Sequence, residues 1–113
     1  GAEEAYTSIA GPTWRNEVCA RTALEVGLNR ATAFARRLRC PALVQVGTND
    51  RVAPPAAARQ TAKEIGALAQ LREYPVDHFD VYDGPCQQRM LRDQLSFLSR
   101  TLDPARPTAL IAT

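Results

Sequence analysis

The sequence predicts an α/β fold, and three observations carry that prediction. A short apolar run, Ala42-Leu43-Val44-Gln45-Val46, is bounded by Pro41 and Gly47, the pattern of a strand covered on both faces in a parallel sheet. A second stretch of strand character runs from Gln70 to Tyr74 and is ended by Pro75. Between them Pro54-Pro55 opens a helical segment, so that Ala42 to Tyr74 has about the 30-residue size of a βαβ unit. A right-handed crossover then leaves the two strands parallel.

The chain has 113 residues, enough for one small domain and too few for two. Hydrophobic residues at 45% and charged residues at 23% are close to a globular average, which excludes fibrous and disordered classes. No apolar run approaches the roughly 18–20 residues of a membrane span. A net charge of +2 is too mild to point to nucleic acid or anionic lipid as partner. The fourteen basic side chains are all arginine except Lys63, and no Gly-rich loop accompanies them to cradle a phosphate. Nothing at the start marks secretion, so a cytoplasmic protein is expected. The opening Gly1-Ala2-Glu3-Glu4, without an initiator Met, is that of a processed chain or a piece of a longer one. Cys19, Cys40 and Cys86 are odd in number and far apart. With one histidine they match no usual zinc spacing, and buried or idle thiols are expected.

Taken in order, residues 1 to 13 read as a small, polar segment ending in the turn signal Gly11-Pro12-Thr13. A helix follows, with Thr13 as N-cap, Trp14 and Val18 on one face, and Gly27 closing it in the left-handed conformation. Asn29 caps a shorter helix to about Arg37, with Phe34 and Leu38 as its apolar side. Cys40-Pro41 stops it, because the residue before proline is pushed toward extended geometry. After the βαβ unit, residues 75 to 84 form a loop. Beyond Pro85 the last helix carries Leu91, Leu95, Leu98 and Leu102 as one apolar stripe for docking on the sheet, and Pro104 ends it. Two strands cannot bury their faces and edges unaided, so a missing part of the sheet is expected from another segment or chain.

Ligands in open α/β sheets gather outside the carboxyl ends of the strands. Asp50 follows the first strand there and His78 the second, so a carboxylate and an imidazole can meet. The carboxylate would accept Nδ1–H and fix the tautomer, leaving Nε2 as a general base. A solvated turn-forming Asp and a surface His are the competing structural readings of the same two residues.

These residues resemble the α/β-hydrolase fold serine hydrolases. The likeness runs through Leu38-Arg39-Cys40-Pro41-Ala42-Leu43-Val44, Gly47-Thr48-Asn49-Asp50-Arg51-Val52-Ala53-Pro54, His78-Phe79-Asp80-Val81-Tyr82 and Gln94-Leu95-Ser96-Phe97-Leu98. In that family the penultimate core strand is followed by G-x-x-D and a Val/Pro stretch, and the last strand by the loop bearing His. The resemblance implies that Asp50 is the acid and His78 the base of a catalytic triad. Val52, Pro54 and Phe79 stand where an acyl pocket would be walled, a role that competes with packing, and Val52 and Phe79 are the expected substrate contacts. It further implies an ester or related acyl substrate, no metal or organic cofactor, and a helical return from the family's cap in residues 1–36. Residues 37–103 are the C-terminal βαβα part of the core, and residues 104–113 a frayed tail.

The departures are as informative. Ser precedes the acid in that family, within a G-x-S-x-G elbow, and only Ser8 precedes Asp50 here, without glycines around it. Ser96 and Ser99 follow His78 on a helix, and Cys19 also falls within a predicted helix. The oxyanion-hole donors are absent too. Asp77 stands before His78 where the family commonly has Gly, and Asp80 is an alternative acid. The expectation is a C-terminal portion of a serine hydrolase, inactive alone and completed by the missing N-terminal half. The rival is a non-catalytic binding or oligomerisation module whose exposed sheet edge pairs with a second copy.

Overall fold

The structure, a computed structural model, describes residues 4, 6–7, 10–15, 17–28 and 31–103. In chain order the elements are helix α1 (Ala20–Val26), a 3-10 helix (Ala31–Arg37), strand β1 (Ala42–Gly47), helix α2 (Pro55–Ile65), a short 3-10 turn (Gly66–Leu68), strand β2 (Ala69–Tyr74) and helix α3 (Gly84–Leu102). The strands pair in parallel, from Ala42 beside Ala69 to Gly47 beside Tyr74. The molecule is thus mixed α/β, with two parallel strands and flanking helices.

Side chains alternate across a strand, and the contacts assign each face to one helix. On one face Glu73 accepts from Arg59 of α2 at 2.7 Å. On the other, Gln45 donates to the Met90 carbonyl of α3 at 3.1 Å and Gln70 accepts from Arg100 at 3.3 Å. Pro55 opens α2 where its missing N–H costs nothing. Gly66 ends it at φ 72°, a left-handed angle that a side chain would resist. The 3-10 helix packs against α2 through buried Ala35 and the Arg36–Glu64 ion pair.

Tyr74, only 1% exposed, is the most deeply buried large side chain among the described residues. Its hydroxyl donates to Asp93 of α3 at 2.6 Å and accepts from Gln45 of β1 at 2.8 Å. Burial, then the hydrogen bond to Asp93, push the phenol above its ordinary value, so it stays a neutral donor. Gln94 closes the group by donating to Gln45 at 2.6 Å. A polar network, rather than an apolar seam, joins sheet and last helix.

That network overturns the expected docking of the leucine stripe. Met90 is buried and Asp93 and Phe97 are half-buried, whereas Leu91, Leu95, Leu98 and Leu102 are 41%, 65%, 46% and 71% exposed. Two strands lie only about 4.8 Å apart, so the sheet covers one narrow strip of a helix. The nineteen residues of α3 extend about 28 Å, past the end of strands near 20 Å long. The contacts of Tyr74 and Gln45 decide which strip is covered, and it is not the leucine one.

The N-terminal expectations also shift. Helix α1 starts at Ala20 rather than after Thr13, and Trp14 and Val18 lie before it, exposed. Cys19 occupies the N-cap without a side-chain bond, and Gly27 has φ −64°, right-handed rather than left-handed. None of α1 is buried, so no packed face selects a longer helix. Glu4, Tyr6 and Thr7 are helical. The 3-10 helix buries Ala35 while Phe34 is 58% exposed, correcting its expected apolar side. Cys19 and Cys40 are exposed and Cys86 is half-buried, so the thiols are free but not core residues. The cap expected at Asn29 and the tail of residues 104–113 lie outside the described residues. Among the described residues no helix is long and apolar enough to cross a membrane.

Tyr74→Phe removes the hydroxyl and leaves Asp93 and Gln45 without that partner. The expected cost is about 1–2 kcal/mol of stability, read as a lower urea midpoint with an unchanged slope.

Candidate active site

Both loops that follow the strands emerge at the same end of the sheet, and backbone hydrogen bonds knit them together. Thr48 N–H donates to the Tyr74 carbonyl at 2.7 Å and Asn49 N–H to the Val76 carbonyl at 3.1 Å. Glycine is required at 47 by this close approach, since a Cβ there would lie 2.8 Å from the Val76 carbonyl oxygen. The chain can therefore turn directly from β1 into the residue that matters next.

Asp50 is held by its own turn. Its Oδ1 accepts the N–H groups of Val52 at 2.8 Å and Ala53 at 2.7 Å, the local bonding that favours Asp at turns. This leaves Oδ2 directed at His78, whose Nδ1 lies 2.9 Å away. The two side chains are 14% and 27% exposed, sheltered yet reachable. Burial would raise the Asp50 carboxyl, but the Ala53 N–H, His78 and the Val52 N–H together outweigh it and hold the group below the usual carboxylate range. An ionised carboxylate at this position accepts Nδ1–H and orients the ring. With Nδ1 engaged, Nε2 is the ring nitrogen left for a substrate-side partner.

Asp50 and His78 border an open cleft of about 360 Å³ whose other walls include Gln45, Tyr82, Met90 and Gln94. Val52 and Phe79 do not line it. Val52 is 49% exposed and contributes its N–H to Asp50. The Phe79 ring stands edge-on to His78 at 5.0 Å and to Tyr6 at 4.7 Å, backing the imidazole. Neither alternative acid reaches the ring: Asp77 accepts the His78 backbone N–H, and Asp80 accepts the Asp77 N–H. Among the described serines, Ser96 and Ser99 lie on α3, and Cys19 precedes α1; none lines the cleft. Gln45 and Gln94 were not singled out from the sequence. The available signal was Gln45 itself, one polar side chain inside an apolar strand. Among the described residues no group of His, Cys, Asp and Glu converges as a metal site.

Fold and site together define a mixed α/β unit with a carboxylate–imidazole pair at the carboxyl ends of adjacent parallel strands. No family model matches the chain, and no solved structure matches it. The chain is similar to the quorum-quenching protein AidA of Acinetobacter baumannii, 30% identical over 104 residues that cover 88% of this chain and 34% of that protein. It spans about a third of the length of the curated relative it matches.

The carboxyls of Asp50 and Asp77 are both held below their ordinary value, Asp77 chiefly by the His78 and Arg51 N–H groups. The unfolded chain then binds more protons near and below the ordinary carboxylate value of about 3.9. Their stabilisation is complete above that pH and is lost as pH falls through the lower folded values. The urea midpoint is expected to fall below about pH 4, and Asp50→Asn is expected to flatten that decline. A decline equally steep in the variant would contradict this origin.

Proposed function

We propose that this chain is the C-terminal part of an α/β-hydrolase fold serine hydrolase that cleaves an ester or related acyl bond. The observation that carries the reading is the 2.9 Å contact between Asp50 Oδ2 and His78 Nδ1 at the carboxyl ends of parallel strands. In the full-length protein Nε2 of His78 takes the proton from a serine hydroxyl as it attacks the acyl carbon. The same nitrogen then returns that proton to the leaving group. Asp50 keeps the ring in the Nδ1–H tautomer and stabilises the imidazolium formed between the two steps. The nucleophile and the oxyanion-hole donors belong to the part of the protein that precedes these residues, and the chain alone is inactive. The cleft beside His78 receives the acyl substrate.

The relative's name assigns it to quorum quenching, and its greater length leaves room for the missing strands and elbow. Carried to this chain, that name suggests as substrate a small signalling molecule with a hydrolysable ester linkage, cut without a metal or organic cofactor. A cytoplasmic location belongs to the same reading.

The test is fluorophosphonate labelling of the protein from its native source, with the labelled species sized by mass. A labelled chain several times heavier than 12.4 kDa and containing this sequence is expected. In it, Asp50→Asn should lower kcat by about 10⁴-fold and His78→Ala by about 10⁶-fold. A native 12.4 kDa chain that takes no label would sink the proposal.

The exposed leucine face of α3 favours a second reading, a non-catalytic module that pairs with another copy of itself. That reading expects a concentration-dependent dimer by sedimentation equilibrium, with dissociation promoted by Leu95→Glu and Leu98→Glu together. A monomer at all concentrations would reject it.

A further inference from the structure

The two loops of the site are fastened to each other by a side chain that is neither Asp50 nor His78. We propose that Asp77 is a positioning residue that holds His78 in register with Asp50, an inference that rests on the triad reading above. Asp77 Oδ1 accepts the backbone N–H of His78 at 2.7 Å and, across the gap between the loops, the backbone N–H of Arg51 at 3.2 Å. Its Oδ2 accepts from the Arg51 guanidinium, Nη2 at 3.0 Å and Nε at 3.1 Å. Arg51 directly follows Asp50 and Asp77 directly precedes His78. The carboxylate next to the base is therefore bonded to the residue next to the acid. Asp77 is braced in turn, its N–H donating to Asp80 Oδ2 at 2.8 Å and its carbonyl accepting from Asp80 N–H at 3.3 Å.

The two kinds of bond are not equal. The Arg51 side chain is 87% exposed, and ion pairs in such positions contribute little after solvent screening. The backbone N–H groups, in contrast, have fixed directions and are shared by one oxygen, so they set where the two loops sit. This makes the acceptor oxygen, rather than the negative charge, the feature that matters. An Asn at 77 can keep both backbone bonds, while Ala or Gly cannot. A glycine would also free the backbone immediately before the imidazole. Misplacement of a catalytic group by about 1 Å can cost about 10²-fold in rate, so a positioning effect of that order is expected.

The chain has a single histidine, so its ring nitrogens give unambiguous signals in a 15N-histidine sample. The wild-type chain at pH 8 should show a protonated Nδ1 coupled to Asp50. Asp77→Asn should keep this signature, and Asp77→Ala should shift the ring toward the Nε2–H tautomer. An unchanged signature in Asp77→Ala overturns the proposal. Should that variant not fold by far-ultraviolet circular dichroism, Asp77→Asn decides: retention of protonated Nδ1 supports the proposal and its loss overturns it. In the full-length hydrolase Asp77→Ala should lower kcat by about 10–10²-fold with KM little changed. Asp77→Asn should restore it to within about threefold of wild type, and Arg51→Ala, which keeps its backbone N–H, should do the same. Equal losses in Asp77→Ala and Asp77→Asn would reject the role. If instead Asp50→Asn leaves activity intact, the triad reading fails, while the ring signals still report whether Asp77 positions His78.

Discussion

The parallel register that sets Gly47 beside Tyr74 is the constraint on which the rest of the structure depends. It ends both strands at the same level, so that the loops after them leave the sheet as neighbours. Parallel strands cannot be joined by a tight hairpin, and the crossover through α2 is the consequence. Because Gly47 has no Cβ, the Val76 carbonyl can close onto the β1 loop, and Asn49 N–H meets it. Asp50 and His78, 28 positions apart in the chain, come within hydrogen-bond distance through this backbone seam. Their pairing follows from the sheet as much as from their own chemistry.

The opposite side of the sheet is governed by polar contacts. Tyr74, Gln45, Asp93 and Gln94 satisfy one another between β1, β2 and α3. Such a network fixes orientation better than an apolar seam, because each donor tolerates only a narrow range of directions. It also links the sheet to the floor of the cleft, where Gln45 and Gln94 stand near Asp50 and His78. The helix that packs the sheet and the cleft that borders the imidazole are thus set by the same few side chains.

The buried apolar set is small: Ala35, Val46, Ala62, Tyr74 and Met90 among the described residues. Among the described residues the sheet has two strands, with no further strand on either outer edge. Among the described residues, the leucines of α3 and the side chains of α1 remain exposed. Similarity to a protein about three times as long is in keeping with that geometry.

Much of this was legible in the sequence. Pro41 and Gly47 bracket β1, Pro55 opens α2, Pro75 ends β2, and each acts through backbone restrictions that hold wherever the residue occurs. The order strand, helix, strand dictated parallel pairing and therefore placed Asp50 and His78 at one end. The start of α1 was not legible, because a helix without a buried face is decided by what little packs against it. Nor was the rotation of α3: leucines spaced for a helix define a stripe but not its partner, and Tyr74 chose a different one. Asp77 stands in the sequence only as the residue before His78, and its bond to Arg51 exists only because the two loops meet. The sequence by itself determined the kinds of elements and their order, since these follow from local backbone chemistry. Only the tertiary structure decided which side chains face each other, since that depends on distances set by residues far apart in the chain.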